Sequence, residues 1–203
     1  MRNFINLVAF AALLFVPSLA MAQLSLPVTM DFENESAYNN WTVVNGATDW
    51  SGNPGTTRYN GEARNGSYCF RFYYNTNPPQ YLISPELDPL MNPAQVEFWY
   101  KTQSDYYTES FQVGYSTTTT DASAFTWSTE VTTNATSYQK YEGYVPAGTK
   151  YVCIKYTAND QYFLFIDDIV IQDPPTCLPV TNLNATNITN DGLTLTWSDP
   201  MNN

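Results

Sequence analysis

The chain has 203 residues, with 19 acidic and 8 basic side chains and a formal net charge of −11. Nucleic acid is a poor partner for this composition, because too few Lys and Arg side chains are present to neutralise phosphates. The sequence contains no histidine, which excludes a Ser-His or Cys-His catalytic pair. With this many carboxylates some pairs must be close, as a glycosidase needs, but nothing marks one pair, so we predict that the protein is not an enzyme.

The first 22 residues predict a secretory signal peptide. A short basic start at residues 1–3 precedes an apolar run at 7–16 and a small-x-small cleavage site at 20–22. The alternative, a membrane anchor, needs about 20 apolar residues, and Pro17 ends this run early. We therefore expect a mature protein that begins at Gln23 and is secreted, extracellular or at the cell surface.

The region from 23 to 173 predicts one all-β domain. Short β-rich runs alternate with turn clusters, and no 3.6-residue apolar period persists. In the first run Met30 and Phe32 face one side, while Asp31 and Glu33 face the other. About ten short strands favour a two-sheet sandwich, here a jelly roll. The predicted strands cover residues 26–33, 41–45, 67–74, 80–84, 94–101, 110–116, 124–131, 138–145, 150–157 and 162–172.

The three cysteines are Cys69, Cys153 and Cys177, an odd number for an exported chain. At least one of them must be free or paired with another molecule. Cys69 and Cys153 each lie in a predicted strand, so a disulfide between them and two buried thiols both fit. Their spacing matches no zinc site.

Aromatic side chains are the candidates for ligand binding, since flat rings stack on sugars and on partner side chains. Rings also fill protein cores, so only exposed rings qualify. Tyr106 and Tyr107 lie in the polar segment 103–109, and Trp50 lies in a predicted loop. We predict these three residues as the ligand-binding set.

The sequence changes character after residue 173. Residues 174–179 are too rich in proline to pair in a sheet and are typical of a linker. Residues 180–203 resemble the first two strands of a fibronectin type III domain, with Trp197 as the core tryptophan. Such a sandwich needs about seven strands, so we expect an incomplete, mobile tail from a longer protein.

Seven short motifs occur in order along the central domain. They are Asp31-Phe32-Glu33, Trp41-Thr42-Val43-Val44, Ser67-Tyr68, Tyr81-Leu82-Ile83-Ser84-Pro85, Val96-Glu97-Phe98-Trp99-Tyr100, Val113-Gly114-Tyr115-Ser116-Thr117 and Phe165-Ile166-Asp167-Asp168-Ile169. This ordered set resembles the cleaved-adhesin domains of bacterial gingipain-type proteases and haemagglutinins, a jelly-roll family related in shape to MAM domains. The resemblance implies export and a role in adhesion or ligand binding. It does not imply proteolysis, because the peptidase part of those proteins is a separate domain.

The resemblance also implies structural calcium where the first and last strands meet, and oxygen ligands suit that ion. The matching ligands are Asp31 or Glu33 from the first strand and Asp167 or Asp168 from the last. Strict alternation places Asp167 and Asp168 on opposite faces unless a bulge intervenes, and we predict Asp168. Asp49 is the remaining acidic candidate for a second ion, in the loop that follows the first tryptophan.

The sequence thus predicts a secreted, non-catalytic adhesion or ligand-binding module. Its expected partners are a host protein, a host glycan or a neighbouring domain of its own parent chain, with no nucleic acid and no membrane span. The alternative is an accessory domain that targets a secreted hydrolase or peptidase to a carbohydrate or protein substrate.

Overall fold

A computed structural model describes residues 23–175 and 181–198. The predicted signal peptide and Cys177 lie outside these described residues. Regular structure is almost entirely β, with one helical turn, α1 (Glu35–Tyr38), and one 3-10 turn (Ala122–Ala124). Within the described ranges, no helix has the length and apolarity that a membrane span requires.

The described residues form fourteen strands. They are β1 (Val28–Met30), β2 (Thr42–Val44), β3 (Thr57–Asn60), β4 (Tyr68–Phe72), β5 (Gln80–Ile83), β6 (Ala94–Thr102), β7 (Glu109–Ser116), β8 (Thr126–Trp127), β9 (Val131–Thr133), β10 (Gln139–Val145), β11 (Tyr151–Tyr156), β12 (Leu164–Gln172), β13 (Thr181–Thr186) and β14 (Thr194–Ser198).

The first twelve strands form two antiparallel six-stranded sheets that pack face to face. Sheet I has the order β10-β6-β12-β4-β3, and β1 also pairs with β12. Sheet II has the order β2-β5-β11-β7-β8, and β9 also pairs with β7. The predicted all-β sandwich is confirmed. Strands β13 and β14 pair with each other in a separate hairpin.

Two strand predictions needed correction. The sequence did not predict β3, because its residues show no apolar alternation, and the strand forms by pairing with β4. The predicted strand 124–131 is divided into β8 and β9, which pair with different parts of β7. Ser128 lies between them, and its hydroxyl accepts a hydrogen bond from the Val113 N–H at 3.0 Å. A side chain therefore replaces the backbone partner at that position.

Strand β12 shows how the core between the sheets is filled. Leu164, Ile166, Ile169 and Ile171 are all buried in this core. A regular strand would place its core residues two apart, but the step from Ile166 to Ile169 is three. The extra residue is accommodated by a register shift beginning at Asp167, so a β-bulge keeps both halves of the strand facing the core.

Cys69 and Cys153 are fully buried free thiols. They belong to β4 of sheet I and β11 of sheet II, and they are not bonded to each other, as in the alternative of two buried thiols. Burial raises the pKa of Cys69 to about 12 and raises the pKa of Cys153 as well. Because the thiolate is the reactive form, both side chains serve as packing.

Glu109, the first residue of β7, is a fully buried carboxylate. One oxygen accepts a hydrogen bond from the Tyr156 hydroxyl at 2.5 Å, and the other accepts one from the Tyr162 N–H at 2.7 Å. Burial is the main influence and raises the pKa of Glu109 above its ordinary value of 4.5, while the two hydrogen bonds oppose that rise. The carboxylate fixes the backbone of the loop that follows β11.

We predict that Glu109→Gln changes how stability depends on pH. A raised pKa means that the folded protein holds this proton more tightly than the unfolded chain. The resulting stabilisation is complete below the unfolded pKa and is lost as the pH rises through the folded pKa. Wild type should therefore lose stability between pH 4 and 7 through this group, whereas Glu109→Gln should not. The free energy of unfolding of the variant minus that of wild type, measured by urea denaturation, should increase over this pH range.

A second variant checks the cause of this dependence. Tyr156→Phe removes the hydroxyl that favours the charged form of Glu109, so it should steepen the loss of stability with rising pH. If the free energies of unfolding of Glu109→Gln and wild type differ by the same amount at every pH, Glu109 does not have a raised pKa.

Candidate functional site

Four loops meet at one end of the sandwich, which we call the loop end: residues 45–56, 73–79, 103–108 and 157–163. Hydrogen bonds join these loops in turn. The Asn45 side chain donates to the carbonyl oxygens of Asn77 and Pro79 at 3.1 and 2.7 Å. The Asp160 N–H donates to the Asn75 carbonyl at 3.0 Å, and Thr108 N–H donates to the Gln161 side chain at 3.1 Å.

Trp50 is presented by a tight turn that Asp49 organises. One carboxylate oxygen of Asp49 accepts hydrogen bonds from the N–H groups of Ser51 and Asn53, both at 2.9 Å. The bond from Asn53 is the main reason that the pKa of Asp49 lies below its usual value. Asp49, predicted as a metal ligand, thus has a local structural role, and the indole of Trp50 is 86% exposed.

Tyr74 supports Trp50 from the neighbouring loop. The two rings stack with centroids 5.9 Å apart and an interplanar angle of 27°. The Asp160 carboxylate lies beside the Tyr74 hydroxyl and raises the pKa of Tyr74. Sequence reasoning did not identify this partner, because Tyr74 directly follows the buried Tyr73 and lies 24 residues from Trp50.

A groove of about 340 Å³ lies beside this ring pair, and we call it the Trp50 groove. None of the ten described residues that line it carries a charge. Its polar side chains are amides and hydroxyls, and they belong to Asn45, Thr48, Tyr73, Tyr74, Asn75, Thr76 and Asn77.

The predicted Tyr106 and Tyr107 lie at the same end of the molecule. Tyr106 is 92% exposed and Tyr107 is 40% exposed. Tyr107 stacks on Tyr162 at 5.3 Å, and Tyr162 stacks on Phe163 at 4.0 Å. Phe163 packs on Tyr73 at 4.6 Å, so a continuous row of rings runs from Tyr107 towards the Trp50 groove. Sequence reasoning did not identify this row, since its members come from three different loops.

The other predicted metal ligands surround the bulge in β12, away from Asp49. On one edge of β12, β4 pairs with residues 164–166 and β1 pairs with residues 169–171. Asp167 and Asp168 occupy the gap between these two partners, and Asp168 adopts a left-handed backbone with φ of 50°. The bulge anticipated as an exception is therefore present.

Both aspartates of the bulge contact Arg64 in the loop between β3 and β4. Asp167 accepts a hydrogen bond from the Arg64 N–H at 2.7 Å, and Asp168 accepts one from the Arg64 guanidinium at 2.7 Å. Asp168 also accepts a bond from the Asn65 side chain at 2.8 Å. Burial is the largest influence on Asp167 and raises its pKa to about 6.

Glu33 and Asp31 contact protein donors as well. One oxygen of Glu33 accepts the N–H groups of Ser67 and Tyr68 at 2.8 and 2.7 Å. Asp31 accepts the Glu33 N–H at 3.1 Å. The loop must come very close to Glu33, because a side chain at Gly66, whose φ is +72°, would collide with the carboxylate.

These carboxylates are held by donors of the protein itself. Among the residues that the structure describes, no three acidic or cysteine side chains are grouped so that they could hold a metal ion. The Arg64 guanidinium lies between Asp168 and the ring of Trp99, 3.9 Å from the ring centroid. It supplies the positive charge that a cation would bring, so calcium would have to displace it. Calcium therefore stays a prediction.

Comparison with known proteins identifies the family. Residues 26–171 match the Cleaved Adhesin Domain family. The chain belongs to this family. The match lies inside the domain predicted from residues 23 to 173 and confirms the resemblance that the ordered motifs indicated.

Curated relatives of this cleaved adhesin domain come from Porphyromonas gingivalis. Hemagglutinin A is 29% identical, and the similarity covers 84% of this chain and 8% of that protein. Lys-gingipain W83 is 30% identical, with coverage of 85% of this chain and 11% of that protein. The chain thus spans only about a tenth of the length of these relatives.

Solved structures agree with the fold of the domain. The K3 cleaved adhesin domain of Lys-gingipain from Porphyromonas gingivalis has a TM-score of 0.60 and 26% identity, covering 71% of this chain and 96% of that one. The K1 domain has a TM-score of 0.57 at 26% identity and covers 73% and 99%. A family 22 carbohydrate binding module of Clostridium thermocellum has a TM-score of 0.53 at 14% identity, covering 75% and 95%, which shows a shared fold alone.

Thermal melts of the chain test the calcium prediction at the β12 bulge. An ion that binds only the folded state raises the unfolding midpoint. We expect calcium, compared with excess chelator, to raise the midpoint more in Arg64→Ala than in wild type, because the competing guanidinium is gone. Asp168→Ala should show no shift. Equal midpoints in calcium and chelator for both wild type and Arg64→Ala would show that calcium does not bind here.

Proposed function

We propose that this cleaved adhesin domain is a non-catalytic adhesion module that binds its partner through the loop end. The observation that carries the proposal is the set of exposed rings there, with Trp50 and Tyr106 almost fully exposed to solvent. Aromatic side chains are the residues that most often dominate binding energy at interfaces. Exposing them to water is unfavourable for an isolated protein, so their position favours contact with a partner.

The loop end also has the rigidity that binding favours. Its loops are joined by the side chains of Asn45 and Gln161, and buried Glu109 holds the backbone of Tyr162. Loops that are already ordered lose less conformational entropy when they bind. The partner in this proposal is a host protein, a host glycan or a neighbouring domain of the parent chain.

The proposal that the module is not an enzyme rests on the state of its acidic groups. The chain has no histidine, so the carboxylates are the first candidates for proton transfer. At the loop end, Asp49 accepts backbone hydrogen bonds, Asp160 pairs with Tyr74, and Glu109 is buried. Each of these carboxylates has a structural partner, which supports a binding role.

A second candidate function is substrate targeting within a secreted hydrolase or peptidase. It is supported by the similarity to the K1 and K3 modules of Lys-gingipain. Xylan-binding domains share the sandwich fold, and a carbohydrate substrate would suit such a module. The domains of the parent chain distinguish the two candidate functions. A peptidase or hydrolase domain favours substrate targeting, and repeated adhesin modules favour adhesion.

The proposed location is outside the cell or on its surface, which the names of the haemagglutinin relatives support. The signal peptide in residues 1–22 and the fibronectin type III-like segment in residues 180–203 remain parts of this proposal. The hairpin of β13 and β14 agrees with two opening strands of such a segment, and its Trp197 is 58% exposed.

Erythrocyte binding tests the proposal, since relatives are named haemagglutinins. We expect fluorescently labelled chain to bind erythrocytes in flow cytometry. The triple variant Trp50→Ala/Tyr106→Ala/Tyr107→Ala should lose most of this binding, by about 30-fold or more in affinity, because it removes the exposed rings.

A matched control uses exposed apolar side chains elsewhere on the molecule. Met91 and Trp197 are 88% and 58% exposed, so Met91→Ala/Trp197→Ala should bind as wild type does. Circular dichroism should show that all variants are folded. Equal binding by the triple variant and wild type would remove the loop end as the adhesive surface.

A further inference from the structure

We infer that the Trp50 groove binds a neutral saccharide. This inference rests on the proposed function, because it assigns a ligand class to part of the loop end. Three features carry it: the stacked ring pair, the uncharged polar lining, and the hydrogen bonds that hold the groove open before any ligand arrives.

The ring pair provides the apolar part of the site. Stacking on Tyr74 restrains the indole of Trp50, which still exposes 86% of its surface. A pyranose ring has an apolar face of C–H groups, and such a face packs on an exposed aromatic ring. The indole forms one side of the groove, so a sugar stacked on it would have its hydroxyl groups near the polar lining.

The polar side chains of the groove favour an uncharged ligand. The groove is lined by Thr48, Asn75, Thr76 and Asn77. The Asn75 amide makes one hydrogen bond in each direction with the backbone of Asn77, so its second N–H and its second lone pair face a ligand. Amides and hydroxyls both donate and accept hydrogen bonds, which matches sugar hydroxyls, and specificity in such pockets comes from a few placed polar groups.

Charged ligands fit this lining less well. Asp49 and Asp160 near the groove are acidic, and the whole chain carries a net charge of −11. The nearby Arg71 side chain is engaged by the protein, because it donates to the Gly55 carbonyl oxygen at 3.0 Å and lies over the Tyr73 ring. An anionic ligand would be repelled by this field. A cationic ligand would need a carboxylate or an open aromatic cage, but Asp49 is engaged by its own turn and Asp160 by Tyr74.

The groove is formed in advance by contacts between its two loops. Asn45 adopts a left-handed backbone with φ of 53°, and from there its side chain donates to Asn77 and Pro79 on the opposite loop. Asp49 fixes the turn that carries Trp50. A pre-formed groove avoids the cost of ordering two loops on binding.

Isothermal titration calorimetry with soluble oligosaccharides tests the inference. The neutral probes are xylohexaose and cellohexaose, and the anionic probe of similar length is hexagalacturonate. We expect the chain to bind at least one neutral probe and not the anionic one. Trp50→Ala should weaken that binding about 30-fold or more, whereas Trp197→Ala, which removes another exposed indole, should leave it unchanged.

Asn45→Gly tests whether the groove is formed in advance. Glycine accepts the left-handed backbone without strain, so this variant removes the link between the loops together with one of the amides that line the groove. Neutral oligosaccharide binding should weaken by roughly fivefold, as expected for the loss of hydrogen bonds worth about 1 kcal/mol. Affinity equal to that of wild type would overturn the role given to this link.

The outcomes separate this inference from the proposed function. Binding of erythrocytes that depends on Trp50, without binding of either neutral probe, would overturn the saccharide assignment and leave the adhesive surface intact. Binding of hexagalacturonate, or of choline as a cationic probe, in preference to the neutral probes would overturn the assignment of an uncharged ligand. If the wild-type chain binds neither erythrocytes nor the neutral probes, both the adhesive loop end and the saccharide assignment are wrong.

Discussion

The position of strand β12 in the middle of sheet I is the constraint on which the rest of the structure depends. One edge of β12 pairs with β6 along its length, while the other edge is shared by β4 and β1. Where β4 ends and β1 begins, backbone groups would lack partners, and an unpaired buried backbone group costs about as much as a lost hydrogen bond. The bulge lies at this break: the Asp167 carboxylate accepts a hydrogen bond from the Asp168 N–H, and both carboxylates accept hydrogen bonds from the loop that connects β3 and β4.

This arrangement explains why acidic residues gather where the first and last strands meet. The family resemblance assigned them to calcium, and their chemistry suits that ion. In the structure they also close a gap in the sheet, and Arg64 brings a positive charge to the same position while packing on Trp99. A carboxylate that satisfies backbone donors contributes to stability whether or not an ion binds, so its presence in a motif does not by itself indicate a metal.

At the loop end, the sandwich holds the loops in place, and the loops carry the residues proposed to bind a partner. Buried groups such as Glu109 fix the loop backbones from below, and Asn45 links them from the side. The rings that this framework holds outward can then remain exposed without collapsing onto the protein. Polar side chains thus satisfy loop backbones both at the bulge and at the loop end, and the loop end also leaves the rings of Trp50 and Tyr106 in water.

The sequence by itself determined the fold class and most strands, because alternation along a strand is a local property that any half-buried sheet imposes. It also identified Trp50, Tyr106 and Tyr107 as exposed, since each lies in a polar loop. It could not show that Trp50 stacks on Tyr74, that Asp49 organises a turn, or that Cys69 and Cys153 lie in different sheets. Those facts depend on which strands are neighbours and on the register between them, and a single extra residue at the β12 bulge changes that register. Contacts between residues that are 24 to 103 positions apart are therefore decided by the tertiary structure, where pairing and packing bring separate loops together.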